Sequence, residues 1–461
     1  MQKSWSYSFA AIALVFFLVL SSGSQEVSAL KQVTIAPNVQ SGGDWNSFIF
    51  DFNNSRYNSA STITSSNVKN IVQKWKIITG FSITSTPVVS NDTVYFADWG
   101  GNVYSANLTT GIVNWQVNLG KPISSTLALA YGLVYVGMGP ESKTVFALNQ
   151  NNGSPVWQYT INGTTPSIFA SPTIYNGMLY IGTSGENGVP ENNKTERGEV
   201  DALNATTGAF IWKTVTGVSS GGAGVWGSIV VDPELNSIYF GTGNSFGKGP
   251  IGLAYSIVSL NADSGNLNWN YSVFLSHGAG HDYDFGSTPD LFTLNESGTI
   301  IPAIGLGSKD YHYYVLNRVN GTLIDDIRVS NRAIIGVAGF TYPSPDDPEV
   351  FVPTTFANET CSCGEVAALF PINGSIAWKT YTPVSIIGSV ALIPGAVIVG
   401  DGSGRIFAIS MTSGAIITSR KIPQRILGGV TVAEGYILVG NTQKNPTETG
   451  SKLGLYAYGL K

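Results

Sequence analysis

One pattern recurs along the chain and limits what it can fold into: an apolar stretch, Asn or another small polar residue, a Thr/Asn/Ser-Gly turn, and Trp four residues after the Gly. The copies are YSANLTTGIVNW ending at Trp115, FALNQNNGSPVW at Trp157, DALNATTGAFIW at Trp212, VSLNADSGNLNW at Trp269 and AALFPINGSIAW at Trp378. Two more keep the turn without the Trp, VLNRVNGTLID around Gly321 and AISMTSGAIIT around Gly414. The turn glycines Gly111, Gly153, Gly208, Gly265, Gly321, Gly374 and Gly414 lie 40 to 57 residues apart, which makes seven units. An eighth follows if VKNIVQKW, ending at Trp75, pairs with the C-terminal LGLYAYGL and closes a ring. A short-stranded repeat of this period cannot bury both its faces alone, so the expected fold is an all-β, eight-bladed β-propeller. Each Trp is then expected to dock onto the neighbouring blade as a structural residue. The middle units are the longest, and the excess is expected in loops that carry a site.

Composition agrees with many short strands joined by tight turns: charged residues are 11%, with 54 Gly, 21 Tyr and 21 Phe. With 24 Lys+Arg against 29 Asp+Glu there is no basic field for nucleic acid. Lys3, the apolar run Phe9 to Leu20 and the small residues through Val27-Ser28-Ala29 read as a secretion signal over 1–29, leaving 30–461 as the propeller. Twelve apolar residues are too few to span a bilayer comfortably, the alternative being an uncleaved N-terminal membrane anchor, and no transmembrane segment is expected in the mature chain. Twelve Asn-X-Ser/Thr sequons, among them Asn107, Asn152, Asn204, Asn320 and Asn373, fit a secreted glycoprotein, although several sit where a repeat turn wants Asn for its backbone. Two cysteines, Cys361 and Cys363, make no disulfide framework; free thiols, a local disulfide or a weak metal site are all open.

The candidate site begins with GGAGVWGSIVVDPELNSIYFGTGN, Gly221 to Asn244. Its glycines are expected to let backbone approach a flat ligand, Trp226 to offer an indole face, and Asn244 to leave a strand with a side-chain oxygen for a ligand or hard cation. Glu186 in IGTSGENG and Asp284 in GHDYDFGSTPDL fall at comparable strand ends, and with Asn244 they offer oxygen ligands suited to calcium. His277 and His281 lack a cysteine or carboxylate in register for zinc, and His312 reads as a packed strand residue. No G-x-S-x-G or H-E-x-x-H is present, which argues against a serine hydrolase or a zincin.

The repeat resembles the tryptophan-docking motif of the pyrroloquinoline quinone (PQQ)-dependent dehydrogenases, and the likeness covers nearly the whole mature chain. GDWNSFIFDFNNSRYN resembles that family's opening segment, here expected to be a strand and lid, and Gly221 to Asn244 resembles its cofactor floor. HDYDFGSTPDL and ERGEVDALNATTG are most similar to the polyvinyl alcohol dehydrogenase branch. The resemblance implies that Glu186, Asn244 and Asp284 hold Ca2+, that Trp226 lies under the quinone, that Lys309 in GLGSKDYHYYVLNR donates to a quinone oxygen, and that Asp284 is the general base toward an alcohol substrate. Asp282 could stand in for Asp284, and Arg197 is expected to order the Glu186 loop. Two departures stand out. Ser124-Ser125 replaces the vicinal cysteine pair of many relatives, and Ala130-Tyr131-Gly132 stands where an arginine for a cofactor carboxylate is expected. No C-x-x-C-H for haem c is present, so electrons are expected to pass to a separate acceptor. The alternative is a non-catalytic extracellular propeller, a binding or scaffold module.

Overall fold

The computed structural model describes residues 43–163, 167–184, 196–218, 221–245, 252–273, 283–344, 347–355 and 363–461. Within them, 32 strands form eight four-stranded antiparallel sheets, and the only helical element is the 3-10 turn Val68–Asn70. Blades 1 to 7 occupy 88–118, 128–160, 173–215, 230–272, 290–328, 339–382 and 391–421. Blade 8 combines 431–460 with Ile71–Ile78, which pairs antiparallel with Gly454–Leu460. The expected eight-bladed ring and its closure by the two distant segments are both present.

The repeat works at the blade junctions. Trp75, Trp115, Trp157, Trp212, Trp269 and Trp378 each donate Nε1–H to a carbonyl on the next blade's turn, at 2.6 to 3.1 Å. The turn glycine below is required twice. At Gly153 and Gly208 φ is +72°, and a Cβ would fall 2.6 Å from the ring of Trp115 or Trp157. The two missing tryptophans differ in origin. In blade 5, Asp325 takes the ring's place over Gly374. In blade 7, Thr418 stands at the Trp position; the neighbouring blade 8 takes its outer strand from Ile71–Ile78 and so has no hairpin turn there, and Arg420 donates to the carbonyls of Lys69 and Ile71.

The turns also explain several sequons. The side-chain oxygens of Asn152, Asn320 and Asn373 each accept from the N–H and hydroxyl two residues on, which are the sequon's own Ser154, Thr322 and Ser375.

Around the axis a second device joins the blades. The backbone N–H of Thr86, Thr126, Ser171 and Ser228 donates to the hydroxyl of Thr126, Ser171, Ser228 and Thr288 respectively, at 2.8 to 3.1 Å, linking blades 1 to 5 in turn. Residues 43–58 cross the axis at the end of the ring reached by the C-terminal ends of the innermost strands. They bond to the innermost strands of blades 1, 2, 5, 6, 7 and 8 through Val89, Leu129, Leu291, Phe340, Leu392 and Val432.

At the centre of this plug Arg56 is fully buried. It donates Nε–H to Val390 O (2.6 Å) and an Nη1–H to Phe48 O, and its guanidinium lies 5.2 and 5.1 Å from the rings of Trp45 and Phe48. Phe50, Asn54 and Arg56 all adopt positive φ, 54° to 64°, so the crossing is built from conformations that local propensity disfavours and tertiary contacts impose.

Below Arg56, Asp290 accepts from Tyr313 OH (2.7 Å) and Asn54 Nδ2 (3.0 Å), and burial pushes its carboxyl up to about 8 against 3.8 for an ordinary one. Burial likewise lowers the Arg56 guanidinium to about 9. Because the folded carboxyl binds its proton more tightly than the unfolded one, its contribution to stability is full at low pH and is lost as pH rises from about 4 to about 8. We therefore expect Asp290→Asn to gain melting temperature relative to the parent as pH rises through that window and then level off. A difference independent of pH would refute the assignment.

Candidate active site

In each blade the second strand ends, and the first strand begins, on the face opposite the plug. Four segments meet there: the chain before Val230–Asp232, the chain after Ser237–Gly241, the chain before Asp290–Glu296 and the turn after Thr299–Gly307. They bring Trp226, Asn244, Asp284 and Lys309 together. The long middle loops arise here too, between Thr183 and Glu199, Gly241 and Ser256, and Ser272 and Asp290.

Asp284 is placed by its neighbour. Phe285 is fully buried against Tyr314 (5.8 Å, edge on), and its N–H donates to Thr242 O, so the chain presents Asp284 to the other side. The carboxylate is itself fully buried. Its Oδ1 lies 2.7 Å from Lys309 Nζ, and its Oδ2 accepts the Asn244 N–H at 2.9 Å. Lys309 N–H closes the loop onto Asp284 O at 3.0 Å. The ammonium also stands 4.8 Å from the centroid of the Trp226 ring, in cation–π contact. Trp226 lies against Gly286, where a Cβ would enter the indole. The result is a flat aromatic face with a cation and a fixed carboxylate beside it.

The glycine run before Trp226 has a different use from the one its sequence suggests. Cβ atoms at Gly222 and Gly224 would meet Asn244 O (3.0 Å) and Ser184 Oγ (2.9 Å), so these glycines thread the chain between the strand ends of blades 3 and 4. Ligand approach is not what requires them. Arg197 bridges to Gly222 and so orders this same crossing.

Ser124 and Ser125 begin the inner edge of blade 2. Ser125 is buried and donates to Gly137 O (2.7 Å), while Ser124 lines an axial cavity of about 160 Å3 that also touches Trp226, Gly286 and Phe48. Ala130-Tyr131-Gly132 proves to be a hairpin turn at the plug end of blade 2, with Tyr131 OH accepting from Gly177 N. Its lack of an arginine therefore says nothing about the site face. His312 is half-buried and hydrogen-bonded through Nδ1 to Asp326. Cys363 is disulfide-bonded, and Cys361 lies outside the described residues, as do Glu186, Asp282, His277 and His281.

Among the described residues no cluster of three or more His, Cys, Asp or Glu could hold a metal ion. The inner hydroxyls Thr86, Thr126, Ser171, Ser228 and Thr288, which wall the cavity beneath Trp226, were not singled out from sequence. The signal was a Ser or Thr two residues before the innermost strand of blades 1 to 5 and 7.

The fold is an eight-bladed propeller like that of the quinoprotein alcohol dehydrogenases. Residues 164–360 match the family described as glucose/ethanol/alcohol dehydrogenase, β-propeller domain. The chain is similar to quinohemoprotein alcohol dehydrogenase ADH IIB of Pseudomonas putida, with 27% identity over 64% of this chain and 49% of that one. It is also similar to polyvinylalcohol dehydrogenase of a Pseudomonas species, with 24% identity over 79% and 66%. In solved structures the fold matches a europium-containing methanol dehydrogenase with a TM-score of 0.77 at 16% identity, covering 92% of this chain and 99% of that one. BamB from Moraxella catarrhalis matches with 0.58 at 14%, covering 85% and 98%. These likenesses make the chain similar to the PQQ-dependent dehydrogenases. It spans about half to two thirds of the length of these curated relatives.

Proposed function

We propose that the chain is an exported PQQ-dependent dehydrogenase that oxidises a primary or secondary alcohol and passes electrons to a separate acceptor. The observation that carries this reading is the Trp226, Lys309 and Asp284 constellation. An aromatic face, a cation over its edge and a buried carboxylate tied to that cation suit a flat, anionic quinone and a hydroxyl substrate at one place.

Trp226 would stack against the ring system and Lys309 would donate to one of its oxygens, while Asn244, Asp284 and Glu186 would supply oxygens to Ca2+. When bound, PQQ with its calcium supplies a two-electron acceptor for the hydride leaving the alcohol carbon. The protein's own task is proton removal. Asp284 accepts the hydroxyl proton at a carboxylate oxygen whose direction is fixed by Lys309 and by the Asn244 N–H. Burial excludes water from that oxygen, so the substrate hydroxyl becomes its partner. Ser125 is committed to Gly137 O, so of the pair that stands where other members have two cysteines only Ser124 would face the ligand.

No helix among the described residues is long and apolar enough to cross a membrane, which agrees with an extracytoplasmic propeller. The test is titration of the calcium-loaded protein with PQQ, followed by tryptophan fluorescence and then by dye reduction with a panel of alcohols. We expect binding at roughly micromolar Kd or tighter, lost in Gly286→Ala because the new methyl displaces the Trp226 ring. Absence of calcium-dependent binding would reject the proposal and leave a binding propeller.

A further inference from the structure

On the same face, outward from the axis between blades 5 and 6, lies a polar cleft of about 300 Å3. Its floor is Glu365, 2% exposed, at the start of Gly364–Phe370. Lys379 Nζ sits 3.7 Å from Glu365 Oε1 and donates to Val329 O. Tyr381 and Lys379 both hydrogen-bond this carboxylate, while its Oε1 atom has no hydrogen bond in place.

This pair belongs to the blade architecture, because blade 3 repeats it. Lys213 there lies 3.1 Å from Glu199 Oε2 and donates to Asn162 O, a carbonyl of the preceding connection, just as Lys379 does. The surroundings are of opposite sign. Opposite Lys213 stands Asp201, 3.6 Å from its ammonium, whereas the residue opposite Lys379 is Ala367. Blade 5 adds Arg328 to the rim and the connection after it adds Arg332, and blade 6 has Tyr381 where blade 3 has Val215.

Arg332 is held in place by donation to Cys363 O (2.6 Å) and Cys363 Sγ (2.9 Å), with its guanidinium 5.9 Å from the Tyr381 ring. Tyr381 is 58% exposed. Three basic side chains thus face one acidic one, in a chain whose net charge is −5.

The two ends of the cleft make different demands. The rim carries unbalanced guanidinium charge, which a carboxylate meets in a two-pronged geometry. The floor presents a carboxylate shared by Lys379 and Tyr381 with acceptor capacity left on Oε1, and a simple anion cannot donate to it. Tyr381 offers an exposed ring for the apolar face of a ligand. We infer that this cleft binds a small hydroxylated carboxylate, a hydroxy acid or acidic sugar, with its carboxylate on Arg328 and Arg332 and a hydroxyl donating to Glu365.

The test uses the full chain without quinone, so its outcome is independent of the redox reading. D-glucuronate, methyl glucoside and propionate are titrated by calorimetry. Glucuronate is expected to bind with Kd of roughly 1 mM or tighter, and the other two about tenfold more weakly, since one lacks the charge and the other the hydroxyls. Arg328→Ala, at an exposed position, and Tyr381→Ala should each weaken glucuronate by about five- to tenfold with unchanged melting temperature. Glu365→Gln should reduce the preference for glucuronate over propionate. Absence of saturable glucuronate binding, equal binding of propionate or methyl glucoside, or affinity unchanged by these substitutions would each overturn the inference.

Discussion

Asp284→Asn is expected to lower the rate of alcohol-dependent dye reduction by about 100- to 10,000-fold while leaving PQQ affinity within a few fold of the parent. The amide fills the same volume and its oxygen can still face Lys309 Nζ, now 2.7 Å from Oδ1, but it cannot take the substrate proton. Lys309→Met should behave differently. It removes the ammonium from the edge of Trp226 and leaves the buried carboxylate without its cation, so quinone affinity should fall together with rate. Steady-state kinetics with saturating quinone, beside fluorescence titration of each variant, separate the two effects. Equal loss of affinity in both variants would mean that Asp284 acts by positioning the cofactor and not as a base.

The second large effect is on stability. Trp212→Ala should cost about 3–5 kcal/mol, because the ring is 8% exposed, covers Gly265, packs against Tyr180 at 6.0 Å and donates to Ala262 O at 3.0 Å. For a chain of this size that corresponds to a fall of about 3–6 °C in melting temperature. Introducing Trp at Thr418 provides the control. That position has no following turn to cover, so no stabilisation should result. A gain there comparable with the loss at Trp212 would show that outer-strand propensity, and not docking on the next blade, is what the motif supplies.

Much of this architecture was legible because its signals are local. A glycine with positive φ, a Trp four residues on and a nearly constant period mark each junction, and the closing segments carry half of the pattern each. Trp226, Asn244, Asp284 and Lys309 were legible as neighbours through the resemblance of their segments, since the four lie on separate connections spread over 226–309. What stayed hidden depends on tertiary override. Nothing local announces that Arg56 is buried between Trp45 and Phe48, because arginine next to Asn and Ser reads as a surface turn. The glycines at 222 and 224 looked available to a ligand because the backbone that fills their space belongs to 184 and 244–245. The cleft between blades 5 and 6 draws Arg328 and Tyr381 from positions whose proximity only the ring creates.

Closure of the ring by Ile71–Ile78 sets an order of events during synthesis. This strand is made well before its partner Gly454–Leu460, with seven blades between them in the sequence. Until that partner is made it is an open edge able to recruit other chains. Lys74 and Lys76, both exposed in the finished blade, give that waiting edge charges that discourage pairing with a second copy. The seal therefore also records when the ring is complete, since a product truncated before Gly454 keeps a sticky edge that the closed ring hides.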